Sequence, residues 1–207
     1  MLLRLQDLLD EAAKTDWVKI VVLTGSGDYF TSGNDLNNFF NINPNEEAFD
    51  MEILARNGRN MFHKIIKTII DFPKILVAIV NGHAVGMGVT ILGLFDLVYS
   101  IDTALFHATF GLLGQSPNGC SSFIFPRLMG YGNATELLIF GRSMTAHEGK
   151  MNGLVSEIFS AQEEHKVWNQ FYRYANMSSI SLLNCKKVIR KYDLETLHKV
   201  RFFFVFL

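Results

Sequence analysis

The sequence predicts one α/β domain, and three observations carry that reading. Two β-branched runs, residues 18–23 (Val-Lys-Ile-Val-Val-Leu) and 75–80 (Ile-Leu-Val-Ala-Ile-Val), have the composition of buried strands. Glycine-containing turns follow both of them. Segments with apolar residues at helical spacing lie between and after them, and no linker, low-complexity stretch or internal repeat divides the chain. Strands that alternate with helices bury one another in layers, which defines the class.

The elements follow in order. Leu2, Leu3, Leu5, Leu8, Leu9 and Ala12 fall mostly on one helical face and predict a helix over about 2–14. After the strand at 18–23, Thr24-Gly-Ser-Gly-Asp28 breaks the chain, and residues 30–36 are expected as a second glycine-containing loop. The Asn-rich stretch 37–47 is expected to rim a cleft. Phe49, Ile53, Leu54, Met61, Ile65, Ile66 and Ile69 mark a helix over about 48–71, stopped by Asp71-Phe-Pro73. The strand at 75–80 leads into a glycine turn at 81–88 and a helix opening at 89–95. Further strands are expected at 96–100 and 104–108, a loop at 111–119, and helical segments at 121–129 and 134–140. Thr145-Ala-His-Glu148 has the form of a capping box, and two more helices are predicted over about 161–177 and 180–192.

Composition excludes several function classes. In 207 residues, Lys+Arg is 19 and Asp+Glu 20, so a net charge of −1 leaves no electrostatic footprint for nucleic acid. Hydrophobic residues at 49%, charged residues at 19% and a mean hydropathy of +0.18 exclude a disordered chain. Two cysteines, Cys120 and Cys185, are too few for a disulfide framework or a four-cysteine zinc site, and the six histidines show no ligand-spaced pair, so no metal is expected. Polar Asn81 and His83 split the most apolar stretch, so no membrane span is expected. Neither a signal or transit peptide at the start nor a Ser-Lys-Leu address at Val205-Phe206-Leu207 is expected. Of 18 phenylalanines, four sit in the last six residues.

Glycines between a strand and a helix invite a nucleotide reading, and Gly82-x-x-x-Gly86-x-Gly88 has the spacing found in short-chain dehydrogenases. That family needs the loop after the first strand and a Tyr-x-x-x-Lys pair. Tyr131, Tyr172 and Tyr174 are instead followed four residues on by Thr135, Asn176 and Ser178. A larger, ordered set of motifs points elsewhere. It comprises residues 21–36, ending in Phe30-Thr-Ser-Gly-Asn-Asp-Leu36; residues 73–88, ending in Asn81-Gly-His-Ala-Val-Gly-Met-Gly88; Phe106-His-Ala-Thr-Phe110; and Leu113-Gly-Gln-Ser-Pro-Asn-Gly-Cys-Ser-Ser122.

Together these resemble the crotonase (enoyl-CoA hydratase/isomerase) superfamily, in particular its peroxisomal-type Δ3,Δ2-enoyl-CoA isomerases. The resemblance runs from Met1 to about Glu195. It implies a spiral of strand-strand-helix turns with C-terminal helices, truncated at both ends relative to the family. It also implies an incomplete acyl-CoA-binding domain over 1–195 with a divergent apolar tail at 196–207, exposed apolar area and a tendency to aggregate. The implied ligand is an acyl-CoA thioester, with no separate cofactor because CoA is part of the substrate. The implied assembly is a homotrimer or hexamer, and the implied compartment is the peroxisome or mitochondrion.

The resemblance further implies an oxyanion hole of two backbone N–H groups, placed at Asn34 and Met87, that holds the thioester oxygen as an enolate forms. Such a donor contributes roughly 100–1,000-fold in rate. Ser32, Gly33, Asn34, Asp35, Leu36 and Gly86 would line the substrate and CoA.

The two glutamates of the family's hydratases fall at Thr90 and Phe110 here, so hydratase chemistry is not expected. The isomerase glutamate, which moves a proton from C2 to C4 of a 3-enoyl-CoA, falls at Asn118, and an amide is no base near neutral pH. Two readings follow, an isomerase of reduced activity or a non-catalytic acyl-CoA-binding or subunit-interaction protein. His107 and Asp35 are candidate substitute bases, with a packed side chain the blander role for His107. Cys120 reads as a small buried residue at a helix start. Lys186, Lys187, Arg190 and Lys191 form a basic helical cluster that reads as a solvated helix face, with a part in holding CoA phosphates as the alternative.

Overall fold

A computed structural model describes residues 1–33 and 48–202, with the side chains of 48–57 outside the description. The chain opens with helix α1 (Leu2–Lys14), then β1 (Ile20–Thr24), β2 (Tyr29–Thr31) and the long helix α2 (Ala48–Asp71). β3 (Ile75–Val80), β4 (His83–Val85) and the one-turn helix α3 (Met87–Thr90) follow, α3 tightening into a 3-10 turn at Ile91–Leu94. Next come β5 (Leu97–Ile101), β6 (Leu105–His107), a 3-10 turn at Gly111–Leu113 and α4 (Ser121–Leu138). The chain continues through β7 (Met144–Thr145), α5 (Ala146–Met151), β8 (Glu157–Phe159), α6 (Glu164–Ala175), α7 (Ser179–Arg190) and α8 (Leu194–Val200).

Successive strands go to different sheets. One sheet has the order β1-β3-β5-β8 and is parallel throughout, with Ile20 opposite Ile75 and Val77 opposite Leu97. The other has the order β2-β4-β6-β7, parallel except for β7. Each of the first three turns of the chain thus lays one strand in each sheet and closes with a helix, the strand-strand-helix spiral that the motifs imply.

β3 shows why the strands lack polar alternation. Leu76, Ala78 and Val80 point into the main core, beside Ile65, Ile69, Leu92, Phe106 and Phe125. Val77 and Ile79 point the other way, to a second cluster with Tyr99, Phe159, Val167 and Phe171. With α6 over one face, and α2, α4 and the second sheet over the other, both parities must be apolar.

Several expectations need correction. Residues 30–36 and 81–88 were expected as loops, yet β2 and β4 lie within or across them. β7, β8 and α8 have no counterpart in the periodicity reading, and the helix expected at 89–95 begins earlier and ends as a 3-10 turn. Three-residue strands among glycines are too short to show a period of two. The helical segments at 121–129 and 134–140 do occur, separated at Gly130, whose φ of 78° and ψ of 160° interrupt α4. α8 crosses position 195 and buries Leu197 in the main core.

The basic face on α7 divides into two. Lys187 and Lys191 are exposed, but Lys186 is buried, its Nζ donating to Asp96 Oδ2 and to the Lys74 carbonyl, both at 2.6 Å. Arg190 reaches Asp96 Oδ1 at 3.1 Å and donates to the Leu94 carbonyl. Burial pulls the Lys186 ammonium below the usual lysine range, with Asp96 working against that shift. Lys186 and Arg190 therefore tie α7 to the entry of β3 and β5, and are neither a solvated face nor free to meet phosphates.

Candidate active site

Two loops meet at the C-terminal ends of β2 and β4. The two strands pair in parallel, with Thr31 opposite Ala84, so the chain leaves both at one edge of the same sheet. The first loop carries Ser32 and Gly33, where the Gly33 N–H donates to Thr31 Oγ1 at 3.1 Å. The second carries Gly86 and enters α3. A Cβ on Gly33 would lie 3.4 Å from Val85 Cγ1, so the first loop lies against the end of β4, next to the second. Asn34, Asp35 and Leu36, which complete the first loop in the sequence reading, lie outside the described residues.

Two glycines are required here. Gly86 has φ 59° and ψ −125°, a combination that disfavours a side chain. A Cβ on Gly88 would sit 1.9 Å from Thr31 Cγ2, so β2 can rest on α3 only if residue 88 has none. The Gly86 N–H donates to the His107 carbonyl at 2.8 Å, and the Gly86 carbonyl accepts from Val89 and Thr90. The Met87 N–H, as the first amide of α3, has no intrahelical acceptor. Gly86 and Met87 are half-buried, while Thr90 is fully buried.

Position 118 joins this group from the other side. Asn118 Oδ1 lies 2.7 Å from Thr90 Oγ1, and the hydroxyl also lies 3.1 Å from the Met87 carbonyl. A hydroxyl has one proton and can donate to one of these acceptors at a time. The Asn118 carbonyl accepts from Ser121 N at 3.1 Å and Ser121 Oγ at 2.7 Å. A Cβ on Gly119 would meet Thr90 Oγ1 at 2.8 Å, so the 118–119 loop lies directly on α3. The structure thus brings Asn118 and the end of β2 onto α3, beside Gly86 and Met87, with Gly33 against the end of β4.

Sequence reading named Thr90 and Asn118 separately and missed that they touch. Its signal for them was the resemblance, which places acidic groups of related enzymes at those two positions. Phe110, the other hydratase position, is buried at the start of a 3-10 turn and offers no acid-base chemistry. The His107 ring is engaged, its Nδ1 2.9 Å from Ser143 Oγ. Two grooves, of about 240 and 290 Å3, open beside the entries of β1 and β3 against α7, the second also against α6, and no described residue of this site lines them.

The comparisons agree on the kind of protein this is. The family model for enoyl-CoA hydratase/isomerase matches residues 2–201. Enoyl-CoA delta isomerase 2 of Rattus norvegicus is 47% identical over 189 residues, which is 91% of this chain and 47% of that protein. The peroxisomal enoyl-CoA delta isomerase 3 of Mus musculus is 41% identical over 189 residues, 91% of this chain and 58% of that protein. The chain spans about half the length of these relatives. A solved enoyl-CoA hydratase/isomerase from Pseudoalteromonas atlantica superposes with a TM-score of 0.83 at 31% identity, covering 96% of this chain and 75% of that one. The match across nearly the whole chain, joined to the two glycine loops that converge on α3, makes this chain a member of the enoyl-CoA hydratase/isomerase family, with the crotonase fold.

Proposed function

We propose that the chain binds an acyl-CoA thioester and belongs functionally with the enoyl-CoA delta isomerases, converting 3-enoyl-CoA to trans-2-enoyl-CoA in fatty-acid oxidation with turnover depressed by an amide at the base position. The observation that carries this reading is Asn118, held 2.7 Å from Thr90 Oγ1 against the helix that opens at Met87. The Met87 N–H, with Asn34 as its partner, would hold the thioester oxygen. Ser32, Gly33, Asp35, Leu36 and Gly86 would line the acyl-CoA. A carboxylate at 118 would take the proton from C2 and return it at C4, a role worth roughly 100–10,000-fold that an amide cannot fill.

The same amide favours the second reading, a non-catalytic acyl-CoA-binding member that keeps the oxyanion loops and lacks the base. A peroxisomal location follows the name of the mouse relative, and a trimeric or hexameric assembly follows the family resemblance. The test is an isomerase assay beside direct acyl-CoA binding, on wild type and Asn118→Glu. The substitution raises turnover roughly tenfold or more, with binding retained. Equal and measurable turnover in the two proteins overturns the assignment of position 118, binding without turnover in both selects the second reading, and loss of binding in wild type overturns both.

A further inference from the structure

Asn118 is followed by glycine, and that pair has chemistry of its own. Four Asn-Gly pairs occur in the chain, at 57, 81, 118 and 152. In such a pair the next backbone nitrogen can reach the side-chain amide carbon, because glycine carries no side chain to obstruct it. The reaction needs a free backbone N–H as nucleophile, a free amide nitrogen as leaving group, water, and preferably a donor on the amide oxygen.

The structure separates the four. At 81 the amide is held on both sides: Asn81 Oδ1 accepts from the Gly25 N–H at 2.8 Å, and Nδ2 donates to the Gly27 carbonyl at 2.9 Å. At 152 the nucleophile is engaged, since the Gly153 N–H donates to the Lys150 carbonyl at 3.2 Å, and Asn152 Oδ1 accepts from Asn133 at 3.0 Å. At 57 the following Gly58 lies inside α2, where helical geometry fixes the backbone. At 118, among the described residues, neither the Gly119 N–H nor Asn118 Nδ2 has a hydrogen-bond partner, and Asn118 is only half-buried. Its Oδ1 does have one, the Thr90 hydroxyl at 2.7 Å, placed to stabilise the negative charge that develops on that oxygen during attack.

We infer that Asn118-Gly119 is a self-modification site, and that its deamidation supplies the carboxylate that the base position lacks. The step balances with water as the only co-reactant. The Gly119 nitrogen loses its proton and bonds to Asn118 Cγ; the Cγ–Nδ2 bond breaks and ammonia leaves, giving a five-membered imide. Water then cleaves the new Cγ–N bond, which restores the Gly119 N–H and leaves an aspartate side chain at 118. Cleavage at the other carbonyl gives the isoaspartyl form, whose main chain is one carbon longer and displaces the loop from Thr90.

The inference rests on the base role proposed for position 118, and the experiment keeps the two apart. The purified full chain is incubated at neutral and mildly alkaline pH. Peptide mapping that distinguishes aspartyl from isoaspartyl products is run beside turnover of a 3-enoyl-CoA on the same samples. Position 118 converts to aspartyl ahead of 81 and 152, faster at the higher pH, and turnover rises with the converted fraction, reaching roughly tenfold or more. Asn118→Asp shows the raised turnover from the outset. Asn118→Gln, whose longer side chain disfavours ring closure, shows turnover that stays flat with incubation. If 118 remains an amide, or converts only to isoaspartyl, while Asn118→Asp is active, the modification fails and the base role stands. If 118 converts to aspartyl and neither the aged protein nor Asn118→Asp gains turnover, the base role fails and the activation falls with it.

Discussion

Cys120 sits at φ 61° and ψ 13°, the left-handed region, as the residue that caps α4. An ordinary side chain there costs roughly 1–2 kcal/mol, so something local must hold it. Two contacts do. The thiol is buried in the main core, and its Sγ–H reaches the Leu197 carbonyl of α8 at 3.5 Å. Burial pushes the thiol pKa up to about 12, so almost no thiolate forms near neutral pH. Cys185, on α7, is exposed. A thiol reagent at mildly alkaline pH is therefore expected to modify one cysteine rapidly, with mass mapping to 185, while Cys120 reacts only as denaturant releases α8. Rapid labelling of both in native protein would mean that α8 does not cover α4. The sequence already marked Cys120 as a small buried residue at a helix start. What it could not show was the partner, because Leu197 is 77 positions away.

At the scale of elements, the capping box of α5 was fully legible. Thr145 Oγ1 accepts from the Glu148 N–H at 3.2 Å, and Glu148 Oε2 accepts from the Thr145 N–H at 2.8 Å. All the information for that motif lies within four consecutive residues, so no tertiary context was needed. The bond from the Thr145 backbone, then those from the Arg142 and Thr145 side chains, hold the Glu148 carboxyl down at about 2. A carboxylate whose folded pKa is depressed stabilises the fold above its unfolded value, about 4.3, and loses that contribution as pH falls toward 2. Denaturant melts of wild type should therefore lose stability across that window more steeply than those of Glu148→Gln, which has no charge to lose. Parallel pH profiles for the two proteins would remove Glu148 from the acid response. The misses share one cause. β2 and β4 are set by neighbours far along the chain, the seating of Gly88 on Thr31 among them, and Lys186 turns inward because Asp96 waits 90 positions upstream. Local period and charge pattern contain neither fact. In the site, likewise, the glycine loops and Asn118 were readable through ordered motifs, while the Thr90–Asn118 contact needed the spiral to bring α3 under the 118–119 loop.

For the molecule as a whole, composition told how much apolar surface must be placed but not where it would go. The two core clusters absorb most of the aliphatic residues. The helical C-terminal part does not follow suit. On α7 and just beyond it, Val188 is 68% exposed, Ile189 77% and Tyr192 85%, and Ile180 near the start of the helix is 75% exposed. Leu112, Ile139 and Phe140 form a second exposed group, which the close fit of Gly111 against the Ile139 carbonyl and of Gly141 against Leu112 draws together. Apolar surface of this kind costs free energy in water that a covering partner recovers at roughly 25 cal/mol per Å2. The isolated chain is accordingly expected to sediment above its 23.4 kDa monomer mass, increasingly so as concentration rises. A Val188→Lys/Ile189→Lys double variant should shift the distribution back toward monomer. Its melting should change little, because substitutions at such exposed sites stay within about 0.5 kcal/mol each. The two measurements together are decisive. If wild type stays monomeric and melts cooperatively at the highest concentration reached, water alone satisfies the α7 face. If the variant loses both association and stability, those side chains belong to the fold and not to an assembly surface.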